Sequence, residues 1–307
     1  MKVALAILNY NGRHHLAELL PTAIAAVASY GRPCPIIVLD NQSPGNDVAW
    51  VRTHYPSVEV IVSPKNDYLF SYNWLLANRD EDIVILLNND LRLSENFVSC
   101  LIRHFENPTT FAVSCKAFNW DGDAINSGPC NFAVRRGRVL GEFQIDRQYT
   151  AYTLFASGGF MAVDRRKFLE LGGFDRLFYP AYGEDKDLCF RAWSKGMKCI
   201  YEPGCHVLHR EGGSWDQEAN RSRRLIDITN YLFMWRNFRY LRFQIPHHLY
   251  LAWLSVRKTT ECDTGWLETL KEARQLWRER HKEALCKAPR NVDLRQIQQI
   301  CGTPVHN

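Results

Sequence analysis

The sequence predicts an α/β protein with a mostly parallel central sheet flanked by helices, followed by an amphipathic helical segment at the C-terminal end. Within the first ninety residues, short apolar runs that end in polar turns alternate with helical patterns. Such alternation is typical of right-handed crossovers between parallel strands. Beyond about residue 216, apolar residues recur at helical spacing beside many arginines, which is typical of amphipathic helices.

The predicted strands of the first half share continuous apolar runs, as expected for strands buried on both faces. They span residues 3–8, 35–39, 58–62 and 83–87, with helical patterns at about 15–30 and 74–77. In the second half we expect hairpin turns at Gly122, Gly128, Gly137 and Gly141, a strand at 160–163, a short helix at 165–171 and a helix from 187 to 196. Two long helices are predicted at about 221–241 and 265–286, separated by Pro246.

Composition and charge exclude several classes of protein. The chain has 307 residues and a formal net charge of +5. Residues 221–290 contain 15 lysines and arginines against 7 acids, so a basic C-terminal segment follows a mildly acidic body, and its neighbour could be an anionic surface. The apolar start of the chain is too short for a signal segment, and no apolar run approaches the ~18 residues of a membrane span.

The ten cysteines favour a reducing environment. No C-x-x-C pair occurs, and Cys100, Cys115 and Cys189 lie in apolar segments, where a thiol acts as a small hydrophobic side chain. We therefore expect a cytoplasmic protein, which could also bind peripherally to the cytoplasmic face of an inner membrane.

Polar residues follow the predicted strands where each one ends. They are Asn9, Asp40, Asn66 and the run Asn88, Asn89 and Asp90. Ligands of parallel sheets bind beyond the carboxyl ends of the strands, so this edge is the predicted ligand site. Taken singly, Asp90 could be a helix cap, the acids at 184–187 a solvated first turn, and His209 an ordinary histidine.

Their order along the chain resembles family 2 glycosyltransferases of the GT-A fold, in particular the bacterial rhamnosyltransferase type. The matching segments are ILNYNG at 7–12, VLDNQS at 38–43, LLNND at 86–90, LGGFD at 171–175, GEDKDLCFR at 183–191 and HREGGS at 209–214. LFMWRN at 232–237 is also similar to a segment that follows the catalytic domain in that group.

The resemblance implies a role for each matching residue. Asn9 and Asp40 would contact the nucleobase and ribose, and Asn66, Asn88, Asn89 and Gly159 would bind the rest of the donor. Asp90, the last position of the family's D-x-D motif, would bind Mn²⁺ or Mg²⁺ together with His209. Asp185 would be the catalytic base, with Glu184 raising its proton affinity by like-charge repulsion.

The implied reaction is transfer of a sugar, with inversion, from a nucleoside-diphosphate-sugar to a hydroxyl of a saccharide or lipid-linked acceptor, in cell-surface polysaccharide synthesis. The donors that the resemblance suggests are dTDP-rhamnose and UDP-sugars. The implied divisions are a nucleotide-sugar-binding half at 1–111, an acceptor and catalytic half at 112–216, and a helical appendage at 217–307. Two positions depart from the family pattern: Asn88 replaces the first acid of D-x-D, and Tyr68 stands where glycine is usual.

Two questions stay open at the level of the sequence. The helix at 221–241 could pack on the catalytic body through Leu225, Ile228, Leu232 and Trp235. Alternatively, an aromatic-rich apolar face that continues into residues 250–254 could contact an anionic membrane. The basic residues around that face are Arg221, Arg223, Arg224, Arg236, Arg239 and Arg242. The alternative functions are a nucleotidyltransferase, for which the turn after the first strand is a poor phosphate loop, and a nucleotide-sugar-binding protein without catalysis. Nucleic acid is not an expected partner.

Overall fold

The computed structural model describes residues 1–135, 137–145, 147–210, 219–261, 264–282 and 294–305. The strands are β1 (Val3–Asn9), β2 (Ile36–Asp40), β3 (Glu59–Val62), β4 (Ile83–Asn88), β5 (Leu91–Leu93), β6 (Thr110–Phe118), β7 (Ile125–Ser127), β8 (Cys130–Arg135), β9 (Arg138–Phe143), β10 (Ala151–Tyr152), β11 (Phe160–Asp164) and β12 (Lys198–His209). The helices are α1 (Arg13–Tyr30), α2 (Asp47–His54), α3 (Ser71–Ala77), α4 (Phe97–Ile102), α5 (Arg165–Glu170), α6 (Glu184–Ser194), α7 (Ala219–Asn237), α8 (Leu241–Thr260), α9 (Thr264–Arg280) and α10 (Leu294–Ile300).

The first half of the chain forms the predicted parallel sheet. Its order is β3-β2-β1-β4, and each pair is parallel. The register places Asn9 beside Asp40 and Leu8 beside Asn88. The carboxyl ends of β1, β2 and β4 therefore meet at one edge, as the sequence predicted.

The second half extends the same sheet with mixed directions. β11 runs antiparallel to both β4 and β6, and β12 runs parallel to β6 and antiparallel to the short β5. β6 and β12 were not predicted from the sequence. Polar residues such as Ser114 and Lys116 interrupt the apolar pattern of β6, although both side chains are buried.

The hairpin prediction is correct at two of the four glycines. Gly122 and Gly137 have φ angles of +78° and +71° and lie in the turns after β6 and β8, where glycine adopts this conformation without strain. Gly141 instead lies within β9, paired with Phe132. Gly128 is not in a turn that needs a positive φ. A Cβ there would come within 2.8 Å of the Ile145 Cα, so a close contact between two backbone segments explains the glycine.

Two hydrophobic cores cover the two faces of the sheet. One contains residues from α1 and α4, and the other contains residues from α3, α6 and α7. Ile228 and Leu232 of α7 are buried in the second core, where Phe233 contacts Phe190 of α6 with ring centroids 5.4 Å apart. This face of α7 thus packs on the body of the protein.

Pro246 lies between the two predicted helices, which are α7 and α9, but the segment between them forms a further helix that the proline does not break. Pro246 lies inside α8, near its start. A proline there removes one backbone hydrogen bond, but Phe243, His247 and Leu251 are buried on both sides of it, and their packing keeps the helix continuous. The segments 211–218 and 283–293, which contain the proposed boundary at 216 and the predicted helix end at 286, lie outside the described residues.

Within the described residues, no helix combines the length and apolar character needed to cross a bilayer. The cysteines of the described residues have free thiols and are buried, including Cys100, Cys115 and Cys189.

Candidate active site

Asn9, at the end of β1, is the centre of a polar network at the sheet edge. Its amide nitrogen donates to carboxylate oxygens of Asp40 and Asp47, each at 3.0 Å, and its amide oxygen accepts a hydrogen bond from Asn89 at 2.9 Å. A Cβ on Gly12 would lie only 2.0 Å from the Asn89 amide nitrogen. The glycine of the turn after β1 is therefore required for Asn89 to reach Asn9.

Asp40 also shapes the turn that follows β2. Its carboxylate accepts hydrogen bonds from the Ser43 amide at 2.8 Å and the Ser43 hydroxyl at 2.6 Å. Asn9 and Asp40 are almost completely buried. Their side chains thus bond to one another and to the turn, at the edge of the sheet where β1 and β2 end.

Asn66 and Tyr68 lie in the loop after β3. The Asn66 side-chain oxygen accepts only a long hydrogen bond of 3.4 Å from the Tyr68 amide, among the bonds found in the described residues. Tyr68 has a φ of +52°, and its partly exposed ring meets the edge of Tyr179 at 5.5 Å. The structure thus places a ring at the position where the family pattern has glycine, and Asn66 is not joined to the Asn9 network.

Asn41 is a site-organising residue that sequence reasoning missed. Its side-chain nitrogen donates to the Tyr68 carbonyl at 3.0 Å, and its oxygen accepts from the hydroxyls of Ser63 and Ser71 at 3.0 and 2.5 Å. Asn41 therefore connects the end of β2 to the loop after β3. Its place beside Asp40 was the available signal, but its partners are up to 30 residues away.

Asp90 and His209 come together from distant parts of the chain. β5 pairs with the end of β12, so that His209 lies opposite Leu91 and the Arg210 amide donates to the Asp90 carbonyl at 3.0 Å. The His209 Nε2 lies 3.7 Å from the Asp90 Oδ2. The other oxygen, Oδ1, is buried with no hydrogen-bond partner among the described residues.

These two residues fit a divalent cation. A carboxylate with one oxygen near an imidazole nitrogen, and the other without a hydrogen-bond partner among the described residues, is a donor set that Mn²⁺ accepts. Within the described part of the chain no group of three or more His, Cys, Asp or Glu side chains could hold a metal ion. A cation here would therefore need further oxygen ligands, such as those of a diphosphate.

The loop that precedes β11 connects this pair to the predicted base. The Gly158 amide donates to the Asp185 Oδ2 at 3.0 Å, and the Gly159 carbonyl accepts from the Asn88 amide at 2.8 Å. A Cβ on Gly159 would approach the Asn88 side chain to 3.0 Å. Next in the chain, the Phe160 ring lies 6.2 Å from the His209 ring. Four consecutive residues, 157–160, thus lie between the end of β4, the start of α6 and the end of β12. They form the loop at 157–160, which includes Phe160, the first residue of β11.

The acids of the 183–187 segment form the first turn of α6, but Glu184 and Asp187 are buried rather than solvated. Burial raises the pKa of Asp185, while hydrogen bonds from the Gly158 and Lys186 amides oppose that shift. Burial and then the charge of Asp185 raise the pKa of Glu184. Burial is thus the main cause at both carboxyls, and the repulsion between them raises the pKa of Glu184 rather than that of Asp185, the residue for which the sequence predicted it.

Lys186 does not point toward the carboxyl pair. Its ammonium group donates to the Asn230 side chain of α7 at 2.5 Å and lies 4.7 Å from the centre of the Phe233 ring. Burial lowers its pKa. The side chain therefore ties the start of α6 to α7.

A buried ionic network fixes the rest of α6. Asp187 accepts from Arg191 at 2.8 Å and lies 3.3 Å from the Arg236 Nε of α7. Arg236 also pairs with Asp175, and Arg191 donates to the carbonyls of Leu171 and Gly173 at 2.6 and 2.7 Å. These contacts join α6, α7 and the Gly-Gly turn at 172–173, and sequence reasoning did not identify them.

The structure brings together most of the predicted site residues. Direct bonds or the loop at 157–160 connect Asn9, Asp40, Asn88, Asn89, Gly159, Asp185, Asp90 and His209. Glu184 is adjacent but buried, and Asn66 lies apart in its loop. The remainder of the 209–214 motif beyond Arg210 lies outside the described residues.

Comparison with known proteins gives relatives of one kind. Rhamnosyltransferase WbbL of Escherichia coli (strain K12) is 25% identical over 180 residues, which are 53% of this chain and 62% of the relative. The chain thus aligns with less than two thirds of this curated relative. A probable N-acetylgalactosaminyltransferase 9 of Caenorhabditis elegans is 23% identical over 164 residues, 48% of this chain and 28% of that protein.

Solved structures share the fold at low sequence identity. The mannosyltransferase PcManGT of Pyrobaculum calidifontis, in complex with GDP-Man and Mn²⁺, superposes with a TM-score of 0.55 and 16% identity, covering 89% of this chain and 82% of that one. GalNAc-T7 with UDP, GalNAc and Mn²⁺ superposes with a TM-score of 0.54 and 16% identity, covering 74% and 48%. The predicted GT-A fold is confirmed by these neighbours.

The family is established by the extent of one further match. The family model described as "Glycosyl transferase family group 2" matches residues 83–267, more than half of the chain. This segment begins at β4 and includes Asp90, the loop at 157–160, Asp185 and His209. The chain belongs to glycosyl transferase family group 2.

Proposed function

We propose that this protein is an inverting, metal-dependent glycosyltransferase that acts on a nucleoside-diphosphate-sugar and a hydroxyl acceptor. The observation that supports the proposal best is the loop at 157–160, which contacts Asp185 on one side and Asn88 and His209 on the other. In this proposal, the base and the metal-binding pair lie on either side of one short segment. Transfer from a sugar nucleotide needs both, because a proton must be removed and a diphosphate must leave.

In the proposed reaction, Asp185 accepts the proton of the acceptor hydroxyl. The bond from that oxygen to the anomeric carbon forms as the bond to the diphosphate oxygen breaks, and the configuration inverts in this single displacement. Asp90 and His209 would hold the divalent cation, which neutralises the leaving diphosphate. Gly158 orients Asp185 through its amide, and the Asn9 network supports the nucleoside.

The relatives direct the choice of substrates to test. A sugar nucleotide such as dTDP-rhamnose is the first donor, because the curated relative from E. coli is a rhamnosyltransferase, and UDP-sugars follow because of the UDP-bound neighbour. We propose a saccharide or lipid-linked acceptor in the synthesis of a cell-surface polysaccharide. A cytoplasmic location, with peripheral contact on the membrane, is part of the same proposal.

The proposal is tested by thermal unfolding with a panel of sugar nucleotides, with and without Mn²⁺. One donor is expected to raise the Tm, and more so with Mn²⁺, since a ligand at about 100 times its Kd stabilises the fold by about 2.7 kcal/mol. In the Asp90→Asn variant, the additional rise in Tm that depends on Mn²⁺ should be absent. Asp121→Asn, which changes an exposed acid, is the matched control. If the donor raised the Tm by the same amount with and without Mn²⁺, the proposed metal dependence would be contradicted.

A further inference from the structure

A cavity of about 480 Å³ lies between α7, α8 and α9, away from the proposed catalytic residues. Three guanidinium groups line it, those of Arg239, Arg274 and Arg278. In the described part of the chain, no carboxylate forms an ion pair with any of them. Three such cations around one cavity are the arrangement that binds a phosphate group.

The acids of α9 are engaged elsewhere. Glu268 and Glu272 pair with Arg224 of α7, and a Glu279 oxygen accepts from Gln275 at 2.8 Å. None of these carboxylates neutralises the cavity. The positive charge of the three arginines is therefore available to a ligand.

Aromatic residues give the cavity a rigid wall. The Trp235 indole nitrogen donates to His247 at 2.9 Å, and its ring meets the edge of Trp277 with centroids 6.0 Å apart. The Trp277 ring stacks on His281 at 5.0 Å. Trp235 and Trp277 line the cavity, so a ligand would meet both cationic and apolar groups there.

Next to this cavity, α8 exposes a stripe of large apolar side chains. Each is more than half exposed: Leu241, Ile245, Leu249, Trp253 and Val256. The opposite side of α8, with Phe243, Leu251 and Leu254, is buried, and His247 bonds to the Gly137 carbonyl of the β8–β9 turn at 2.7 Å. These contacts hold one side of α8 against the rest of the protein, and the stripe on the other side therefore faces solvent.

The cavity and the apolar stripe lie next to each other along α8. His248, which lines the cavity, directly precedes Leu249 of the stripe, and the exposed Arg242 lies at the same end of α8. A helix with Leu, Ile and Trp on one face and arginines beside them is suited to the interface of an anionic membrane. A small soluble phosphate would use the cavity but leave the stripe in water.

We propose that the cavity binds the phosphate of an anionic lipid headgroup, while the α8 stripe contacts the apolar region of the same membrane. The lipid phosphate accepts hydrogen bonds from Arg239, Arg274 and Arg278. This surface shares Arg239 and Trp253 with the one considered from the sequence, but it does not include Arg236, which is buried in the ionic network. The proposal stands whether or not the transfer chemistry is right.

The test is cosedimentation of the full chain with vesicles of phosphatidylcholine, with and without phosphatidylglycerol. The wild-type protein should bind the anionic vesicles. The variant Arg274→Gln/Arg278→Gln should bind them at least about tenfold more weakly, because each cation near an anionic surface contributes separately. Ile245→Ser/Leu249→Ser should also lose binding, while its Tm stays close to that of the wild type since both side chains are exposed.

The matched control is Arg166→Gln/Arg223→Gln, which removes two exposed arginines from α5 and α7. Equal losses in the control and in the cavity variant would show a general charge effect and overturn the phosphate site. If inorganic pyrophosphate stabilised the protein and the protein did not bind vesicles, the cavity would bind a soluble ligand and the proposed membrane contact would be wrong. A dimer in solution that Ile245→Ser/Leu249→Ser converts to a monomer would assign the stripe to self-association and also contradict the proposal.

Discussion

Two neighbouring carboxyl groups at the start of α6 have different surroundings. The two oxygens of Asp185 accept backbone hydrogen bonds from Gly158 and Lys186 at 3.0 and 2.7 Å. Glu184 is buried, and its Oε2 has no hydrogen-bond partner among the described residues. Hydrogen bonds to a carboxylate favour its charged form, whereas burial without them favours the neutral form. Asp185 is therefore the better base, and Glu184 the group that retains a proton.

This contrast predicts a pH dependence of stability that involves Glu184. Burial raises its folded-state pKa above the unfolded value of 4.5, so the folded protein holds a proton that the unfolded chain releases. Stability from this group is then present below the unfolded pKa and is lost as the pH rises toward the folded pKa. Glu184→Gln removes the titration, so its stability relative to wild type should increase between pH 5 and pH 8.

The measurement is urea unfolding of both proteins at the two pH values. Since one pKa unit corresponds to about 1.4 kcal/mol, the free-energy difference between variant and wild type should change by more than about 1 kcal/mol. Glu170→Gln, an exposed acid of α5, should show no such change. A constant difference for Glu184→Gln would mean that its carboxyl is not held neutral in the fold.

At the scale of elements, α6 is positioned by α7 through charges that are buried on both sides. Arg236 lies between Asp175 and Asp187, and all three side chains are nearly inaccessible to solvent. Removal of one member of such a cluster leaves the other charges without compensation. Through Arg236, α7 thus stabilises the first turn of α6, which holds Glu184 and Asp185.

The variant Arg236→Met should therefore destabilise the protein strongly. The expected loss in the free energy of unfolding is about 3–5 kcal/mol, as for other broken buried ion pairs. Guanidinium unfolding measures it, with Arg223→Met, at an exposed position of the same helix, as control. A loss no larger than that of the control would show that the network does not fix α6.

The sequence predicted elements where one rule of local chemistry decides the structure. Apolar runs predicted β1, β2 and β4, and parallel pairing then placed Asn9, Asp40 and Asn88 at one edge. Pro246 was misleading because a local rule for proline was outweighed by burial of Phe243 and His247 on either side. Local propensity cannot represent such tertiary packing.

The partners of the site residues could not be predicted in the same way. Asp175 and Arg236 are 61 residues apart, and Asn41 reaches Ser71 across 30. No periodicity links such positions. The resemblance to a family identified Asp90, Asp185 and His209, but not the loop contacts of Gly158 and Gly159 that connect them.

At the scale of the whole molecule, one sheet carries both halves of the proposed reaction. Its parallel strands form the edge that is proposed to bind the donor, and antiparallel β11 enters the centre of the sheet next to β4. The loop before β11 consequently lies beside the end of β4 and receives α6 on its other side. This topology brings Asp185, the proposed base, and Asp90 and His209, the proposed metal ligands, to the same short segment.

The most direct test of this account is the initial rate of nucleoside-diphosphate release from the best donor, with Mn²⁺ and acceptor, for the wild type and Asp185→Asn. The account predicts that the rate falls at least about a hundredfold, the usual contribution of a general base. Donor binding measured by calorimetry should be retained. Equal rates for the two proteins, or an equal loss of donor binding, would contradict the role of Asp185 as the base.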